Sequence, residues 1–333
     1  MSTPSTPRTL RFARLLLIGS AATAGLGRAA LAQTFPQRTI TIIAPTAPGG
    51  PADTAARLIA ERMSPRLGQT IVVEGVPGAG GTTGVTRVAR AAPDGYTLLI
   101  HQTGMAIAPA ISSTLAFDPE TDFTVVGLVN TSTSVLIGRG SLPAGSWAEL
   151  RAWMAGPGRP AKIGHPGVGS LGHLTTLMFA QAVSADIDAV AYRGVVPIMN
   201  DMLGGHVDLV FAGAVNAVPQ IEAGTVKAYA IASAKRSPVM PKVPSVAELG
   251  FPGLEVQFWH ALFAPAATPK PIVDTLNAAL RFALADPALL KAFETGSVEA
   301  FPREQQSPEA GGAFVRSEIA RWRKVVQQVN LPK

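Results

Sequence analysis

The chain has 333 residues, 47% of them hydrophobic, with no cysteine and five scattered histidines, His101, His165, His173, His206 and His260. Absent cysteine rules out disulfides, thiolate nucleophiles and sulfur-held metals, and no two histidines stand at the HExxH spacing of a zinc enzyme. The formal charge of +6 includes Arg8, Arg11, Arg14 and Arg28 near the start, where no acid offsets them, and leaves about +2 dispersed over the rest, a balance that offers no nucleic-acid footprint.

The first 32 residues read as a cleaved export signal. Three arginines precede an apolar run over 15–26, and Ala30-Leu31-Ala32 supplies the small-x-small cleavage pattern. That run is shorter than the ~20 apolar residues a membrane span needs. The expected product is an exported, periplasmic protein of two ordinary domains.

From there strand-like and helix-like segments alternate, which predicts an α/β architecture with largely parallel sheets. The β-branched run 39–44 predicts a strand, and 51–63 a helix with Pro51 in its first turn and Ala55, Leu58, Ile59 and Met63 on its buried face. Further strands are expected over 70–73 and 96–100, with a helix through Val88 between them. The chain is expected to cross into a second lobe near 135–137. There it continues as helix 147–154, strand 162–164, helix 171–182, strand 190–192, helix 196–203 and strands 207–211 and 226–231. It returns near 254–263 and closes with helices over 271–285, 287–293 and 311–329. In the last of these Val315, Ile319, Trp322, Val326 and Val329 share a face that packs on its own sheet. The expected division is 33–135 plus 257–333 for one lobe and 136–256 for the other.

Two loops join a strand to a helix in a way that suits anions, because N–H groups at a helix start lack partners within the helix. The first runs from Ala44 to Asp53 through Gly49 and Gly50, with Asp53 readable as a cap or as the partner of a ligand ammonium. The second runs from Gly164 to His173. Its Gly167, Gly169 and Gly172 fit a dinucleotide GxGxxG, but Arg193 stands where that reading needs an acid after the next strand. Ser170 nearly completes a GxSxG hydrolase elbow, with Val168 in place of the first glycine and His173 too close along the same helix to serve as base. Ser170 is therefore expected to cap the helix or bind a carboxylate. His165 and His173 also admit structural roles, one ordering the loop and one packing beneath it.

Several motifs in order resemble the Bug family of periplasmic solute-binding proteins, the receptors of tripartite tricarboxylate transporters. They are the stretch from Ala44 to Asp53, Pro77-Gly-Ala-Gly-Gly81, Pro93 to Leu98, Phe117 to Phe123, Gly164 to Leu174, Tyr192-Arg-Gly194, Leu203 to Asp208, Val243 to Gly250 and Ala264 to Pro269. The resemblance implies a type II periplasmic-binding fold, two α/β lobes with a ligand cleft between them. It implies a non-enzymatic receptor without cofactor or metal, monomeric. Its ligand would be a small carboxylate: a di- or tricarboxylate, an aromatic acid or an acidic amino acid. Partners would be large and small integral-membrane transporter subunits, or, in a sensor, a two-component system. The site residues it implies are Thr46, Ala47, Gly49, Gly50, Ala52 and Asp53 from one lobe, His165, Gly167, Val168, Gly169 and Ser170 from the other, and Thr103 and Tyr192 beside them. Thr46 departs from a usually aromatic position, and His165 from a more usual Ser.

Overall fold

A computed structural model of the protein describes residues 1, 35–46, 48–78, 81–156, 158 and 160–329; apart from Met1, the export segment expected over 1–32 lies outside the described residues, as does Ala47. In chain order the first group is β1 (Ile40–Ala44), α1 (Pro51–Leu67), β2 (Ile71–Gly75), α2 (Thr82–Ala89), β3 (Thr97–Gln102) and α3 (Gly104–Ile111). The 17-residue β4 (Phe123–Arg139) follows, then α4 (Trp147–Ala155), β5 (Ala161–His165), α5 (Leu171–Val183), β6 (Ile187–Ala191), α6 (Val195–Leu203), β7 (Leu209–Gly213), α7 (Ala214–Glu222) and β8 (Val226–Ile231). The chain ends in β9 (Gln257–Pro265), α8 (Lys270–Ala283), α9 (Pro287–Thr295), β10 (Glu299–Ala300) and α10 (Pro308–Gln328).

Local chemistry explains most of these boundaries. The β-branched Ile40, Ile42 and Ile43 are wholly buried in β1. α1 starts with Pro51, whose missing N–H costs nothing there, and stops at Gly68 in the left-handed conformation, φ 67°. Two helices were not expected, α3 and α7. Each carries an internal proline, Pro109 and Pro219, and neither begins on a capping side-chain bond. β6 begins at Ile187, three residues before its expected start, so Tyr192 lies just past the strand; its N–H still donates to the His165 carbonyl at 2.9 Å.

The sheet order is β2-β1-β3-β9-β4-β7-β5-β6, with β8 and β10 also pairing with β4. β4 therefore serves both halves. It pairs with β9 as far as Thr133 and with β7 from Ser134 onward. Strand directions then fix where the helices begin. β3 is antiparallel to β9, and β9 is antiparallel to β4, so β4 runs in the direction of β1, β2 and β3. β7 is antiparallel to β4, while β5 and β6 are parallel to β7. The C-terminal ends of β1 to β3 thus point toward the second half, and those of β5 to β7 point back toward the first. This is the two-lobed α/β architecture of a periplasmic-binding fold, in which ligands meet the carboxyl ends of strands.

α10 ties the halves together. Val315, Ile319 and Trp322 are buried, as its apolar spacing predicts, in a cluster that also holds Leu99 from the first half and Leu136 and Ile163 from the second. Its buried Glu318 accepts from the indole N–H groups of Trp259 at 3.1 Å and Trp322 at 3.2 Å. Close approach to β4 needs a glycine: a Cβ on Gly311 would lie 2.7 Å from Val125 Cγ1. Among the described residues no helix is long and apolar enough to cross a membrane.

Candidate ligand-binding cleft

Six helices start at the facing strand ends: α1, α2 and α3 in the first half, α5, α6 and α7 in the second. Four of them, α1, α2, α6 and α7, begin on Gly50, Gly81, Gly194 and Gly213 with no side-chain cap. Of the four described helices that begin elsewhere, α8 starts on Pro269 without a side-chain cap, and the other three are capped. Ser146, Asp286 and Ser307 cap α4, α9 and α10 by accepting from the N–H groups of Glu149, Leu289 and Ala310. Glycine in place of a capping side chain costs only a few tenths of a kcal/mol, so a glycine start leaves the first-turn N–H groups open at little expense in stability. What remains between the halves is a set of unpaired N–H groups at the positive ends of helix dipoles.

In the first loop, Asp53 is 2% exposed and already spoken for. Its Oδ2 accepts from the N–H of Gly49 and from Nε of Arg57, both at 2.9 Å, and its Oδ1 accepts from Arg57 Nη2 at 2.9 Å. The Arg57 guanidinium, helped by the Gly49 N–H, holds this carboxyl below its ordinary range against the opposing effect of burial. Asp53 is thus a loop brace reaching back from the first helical turn, and its charge is not left for a ligand ammonium. Gly49, with φ 80°, gives its N–H to this brace. Among the described residues, the N–H groups of Ala52 and Asp53 itself have no acceptor, and Gly50 stands beside them as the uncapped start. Thr46 is half-buried at the root of the loop, its Oγ1 buried without a partner.

The second loop is fastened by its own side chains. Ser170 Oγ donates to the Gly167 carbonyl at 2.7 Å and accepts from the His173 N–H at 3.2 Å. The His173 ring is turned toward the loop, its Nδ1 accepting from the Gly169 N–H at 3.1 Å. Ser170 therefore caps α5 and does not pair with the imidazole as a hydrolase nucleophile would. His165 is buried and stacked on His173, ring centroids 4.2 Å apart, beneath the loop, and its Nδ1 is buried without a hydrogen-bond partner. Burial first, and His165 second, lower the pKa of His173 to about 4; burial also lowers that of His165, opposed by a backbone hydrogen bond to Gly167. Gly167 and Gly169 take φ of 127° and 77°, Val168 between them is exposed, and the N–H groups of Leu171 and Gly172 have no acceptor among the described residues. A Cβ on Gly169 would collide with Cδ1 of Ile111 at the end of α3, so the two halves touch at this loop.

Two expected contacts fall away from the loops. Thr103 is wholly buried, its hydroxyl donating to the Gln257 carbonyl at 3.2 Å and accepting from the Trp259 N–H at 3.1 Å. It pins β3 to the returning strand β9, which uses the hydroxyl fully. The Tyr192 phenol donates to Asp201 Oδ2 at 2.7 Å and is turned toward α6; burial, with Asp201, pushes its pKa to about 12. Conversely, the free N–H groups of Leu171 and Gly172 and the bare starts at Gly194 and Gly213 were not singled out from sequence, although for α6 and α7 a glycine directly before the helix was the available signal.

Known proteins of similar sequence and fold give the family. The signature of the tripartite tricarboxylate transporter family receptor matches residues 55–331. The chain belongs to this family of periplasmic solute-binding receptors. Among solved structures, the periplasmic binding protein BugD is 37% identical with a TM-score of 0.80, over 90% of this chain and 100% of its own. MatC from Rhodopseudomonas palustris, solved with bound malate, is 39% identical with a TM-score of 0.78, over 88% of this chain and 100% of its own. R. palustris Rpa4515, solved with adipate, is 33% identical with a TM-score of 0.80, over 89% of this chain and 99% of its own.

Proposed function

We propose that this receptor captures a small carboxylate between its lobes and presents the ligand-closed form to the large and small membrane subunits of a tripartite transporter. The observation that carries the reading is the opposition of open helix starts across the two halves: the uncapped α1 on one side, and on the other the uncapped α6 and α7 with α5, whose Ser170 cap serves one N–H and leaves those of Leu171 and Gly172 open. A carboxylate there takes hydrogen bonds from the N–H groups of Ala52 and Asp53 and from those of Leu171 and Gly172, with Thr46, Gly50 and Val168 lining the approach. Gly49, Gly167, Gly169, Ser170 and His165 shape the loops that carry those groups. The lobes divide at about 135/136 and 256/257, close to where β4 changes partners. That MatC holds malate and Rpa4515 holds adipate supports the ligand class.

The energies suffice. Each helix start contributes ~0.3–1 kcal/mol toward an anion, and each hydrogen bond to a charged group ~1.5–3 kcal/mol. Because these contacts come from both halves, the ligand favours the closed arrangement, and its differential affinity drives closure. The export signal expected over 1–32 delivers the chain to the periplasm, where this task lies. Calorimetry tests the reading with a panel of mono-, di- and tricarboxylates alongside the matching neutral amides. Saturable binding of at least one acid and none of its amide is expected; heat from no acid contradicts it.

A further inference from the structure

The sheet of the first half carries a second group of polar side chains that no loop motif announces. On β3 and β9 the apolar residues Leu98, Ile100, Leu262 and Ala264 share a cluster with Ala52, Ala55 and Ala56 of α1. Strand alternation puts Gln102 and His260 next on that face, one step nearer the second half, and the two are direct register partners. His260 also stands opposite Asn130 of β4. Its Nδ1 lies 2.7 Å from Asn130 Oδ1, which makes Nδ1 the donor and leaves Nε2 as a bare acceptor. That Nε2 is buried with no partner, in a residue 4% exposed. Thr46 Oγ1 is a further buried hydroxyl without a partner at the same end of the sheet, and the half-buried Gln102 amide stands beside His260 in register.

Buried polar atoms without partners are costly, by about 1–3 kcal/mol each, and are retained where a ligand or water completes them. The arrangement is specific: a buried acceptor at His260 Nε2, with amide side chains at both register neighbours Gln102 and Asn130, at the end of the sheet that points toward the second half. We propose that His260, oriented by Asn130 and flanked by Gln102, is the specificity-determining residue of the cleft, accepting a hydrogen bond from a hydroxyl adjacent to the bound carboxylate and so selecting hydroxycarboxylates over the unsubstituted acids. The proposal rests on the carboxylate reading above. Burial, with a smaller effect of His101, lowers the pKa of His260 to about 3, so the ring is neutral and can accept. An α-ammonium is also a donor, but Asp53 is committed to Arg57 and the surrounding helix starts repel a cation, which favours the hydroxyl.

The test is calorimetry of the intact exported protein with malate, succinate and aspartate, which differ at one carbon, in the parent and in His260→Phe and His260→Gln. The parent is expected to bind malate about tenfold or more tightly than succinate, and more tightly than aspartate. His260→Phe should bring malate and succinate within about twofold of each other by weakening malate alone, and His260→Gln, which keeps an acceptor, should retain the preference. Parent binding of succinate equal to or better than malate overturns the proposal, as does an unchanged ratio in His260→Phe or equal loss of both acids. A preference for aspartate that His260→Phe removes overturns the hydroxyl assignment in favour of an ammonium. No binding of any acid by the parent overturns the receptor reading itself and this proposal with it.

Discussion

Glycine helix starts are concentrated where the two halves of this chain face, while three of its four described outer helices carry a side-chain cap. α4, α9 and α10 begin on Ser146, Asp286 and Ser307, each accepting from a backbone N–H of the first turn. α1, α6 and α7, which begin where the two halves face, start on Gly50, Gly194 and Gly213 with nothing in that role. Ser170 of α5 is the exception, and its hydroxyl serves one N–H while leaving those of Leu171 and Gly172 open. A bare start is not confined to the facing ends, since α8 also begins on Pro269 without a side-chain cap. What distinguishes the inner starts is that they are glycines standing opposite one another, which is the arrangement the proposed binding role requires.

Supplying the missing cap should break this contrast most strongly. Gly50 has φ −71° and ψ 166°, which any residue tolerates, so Gly50→Asp places a carboxylate where the ligand's own belongs. Carboxylate affinity should fall by about 10- to 100-fold, the equivalent of one to two hydrogen bonds to a charged group, while the thermal midpoint holds or rises slightly. Unchanged affinity in a calorimetric titration would mean that the α1 start is not used. Next in size, Asp53→Ala removes the brace on Gly49 and Arg57 and should cost about 1–3 kcal/mol in urea unfolding, with weaker binding because the loop loses its shape. An outward cap gives the converse: Ser307→Ala should cost about 1 kcal/mol of stability and leave calorimetric affinity as it was.

A pH series separates the buried histidines from the brace. Burial lowers His101 and His173 to about 4 and His260 to about 3, below the ordinary 6.5. The unfolded chain therefore takes up protons first as pH falls, and stability drops from about pH 6.5 toward 4. Asp53, held below its ordinary 3.8, adds its loss only under that value. Thermal midpoints should be level above pH 7 and decline through this window; a midpoint that rises on acidification would contradict the neutral, buried state of these rings.

Much of the architecture was legible in the sequence because it is local. Alternation of apolar runs with Gly- and Pro-marked turns located most strands and helices, and both glycine-rich loops lie between a strand and a helix as read. α3 and α7 escaped because Pro109 and Pro219 interrupt them and no capping residue announces them. Asp53 could have been read better, since Arg57 stands four residues on, at ion-pair spacing along a helix. His260 could not. Its meaning depends on Asn130, 130 residues away, and on the register of β9 against β4, which includes two irregular steps. Thr103 likewise looked like a strand-end hydroxyl open to a ligand until the returning β9 took both of its hydrogen bonds.

The most direct test of the central claim is a crystal structure of the protein with a carboxylate that it binds in solution. Carboxylate oxygens should sit about 3 Å from the N–H of Ala52 or Asp53 on one side and from that of Leu171 or Gly172 on the other, directly or through one water. A ligand held elsewhere, with these N–H groups facing only bulk solvent, would contradict the account.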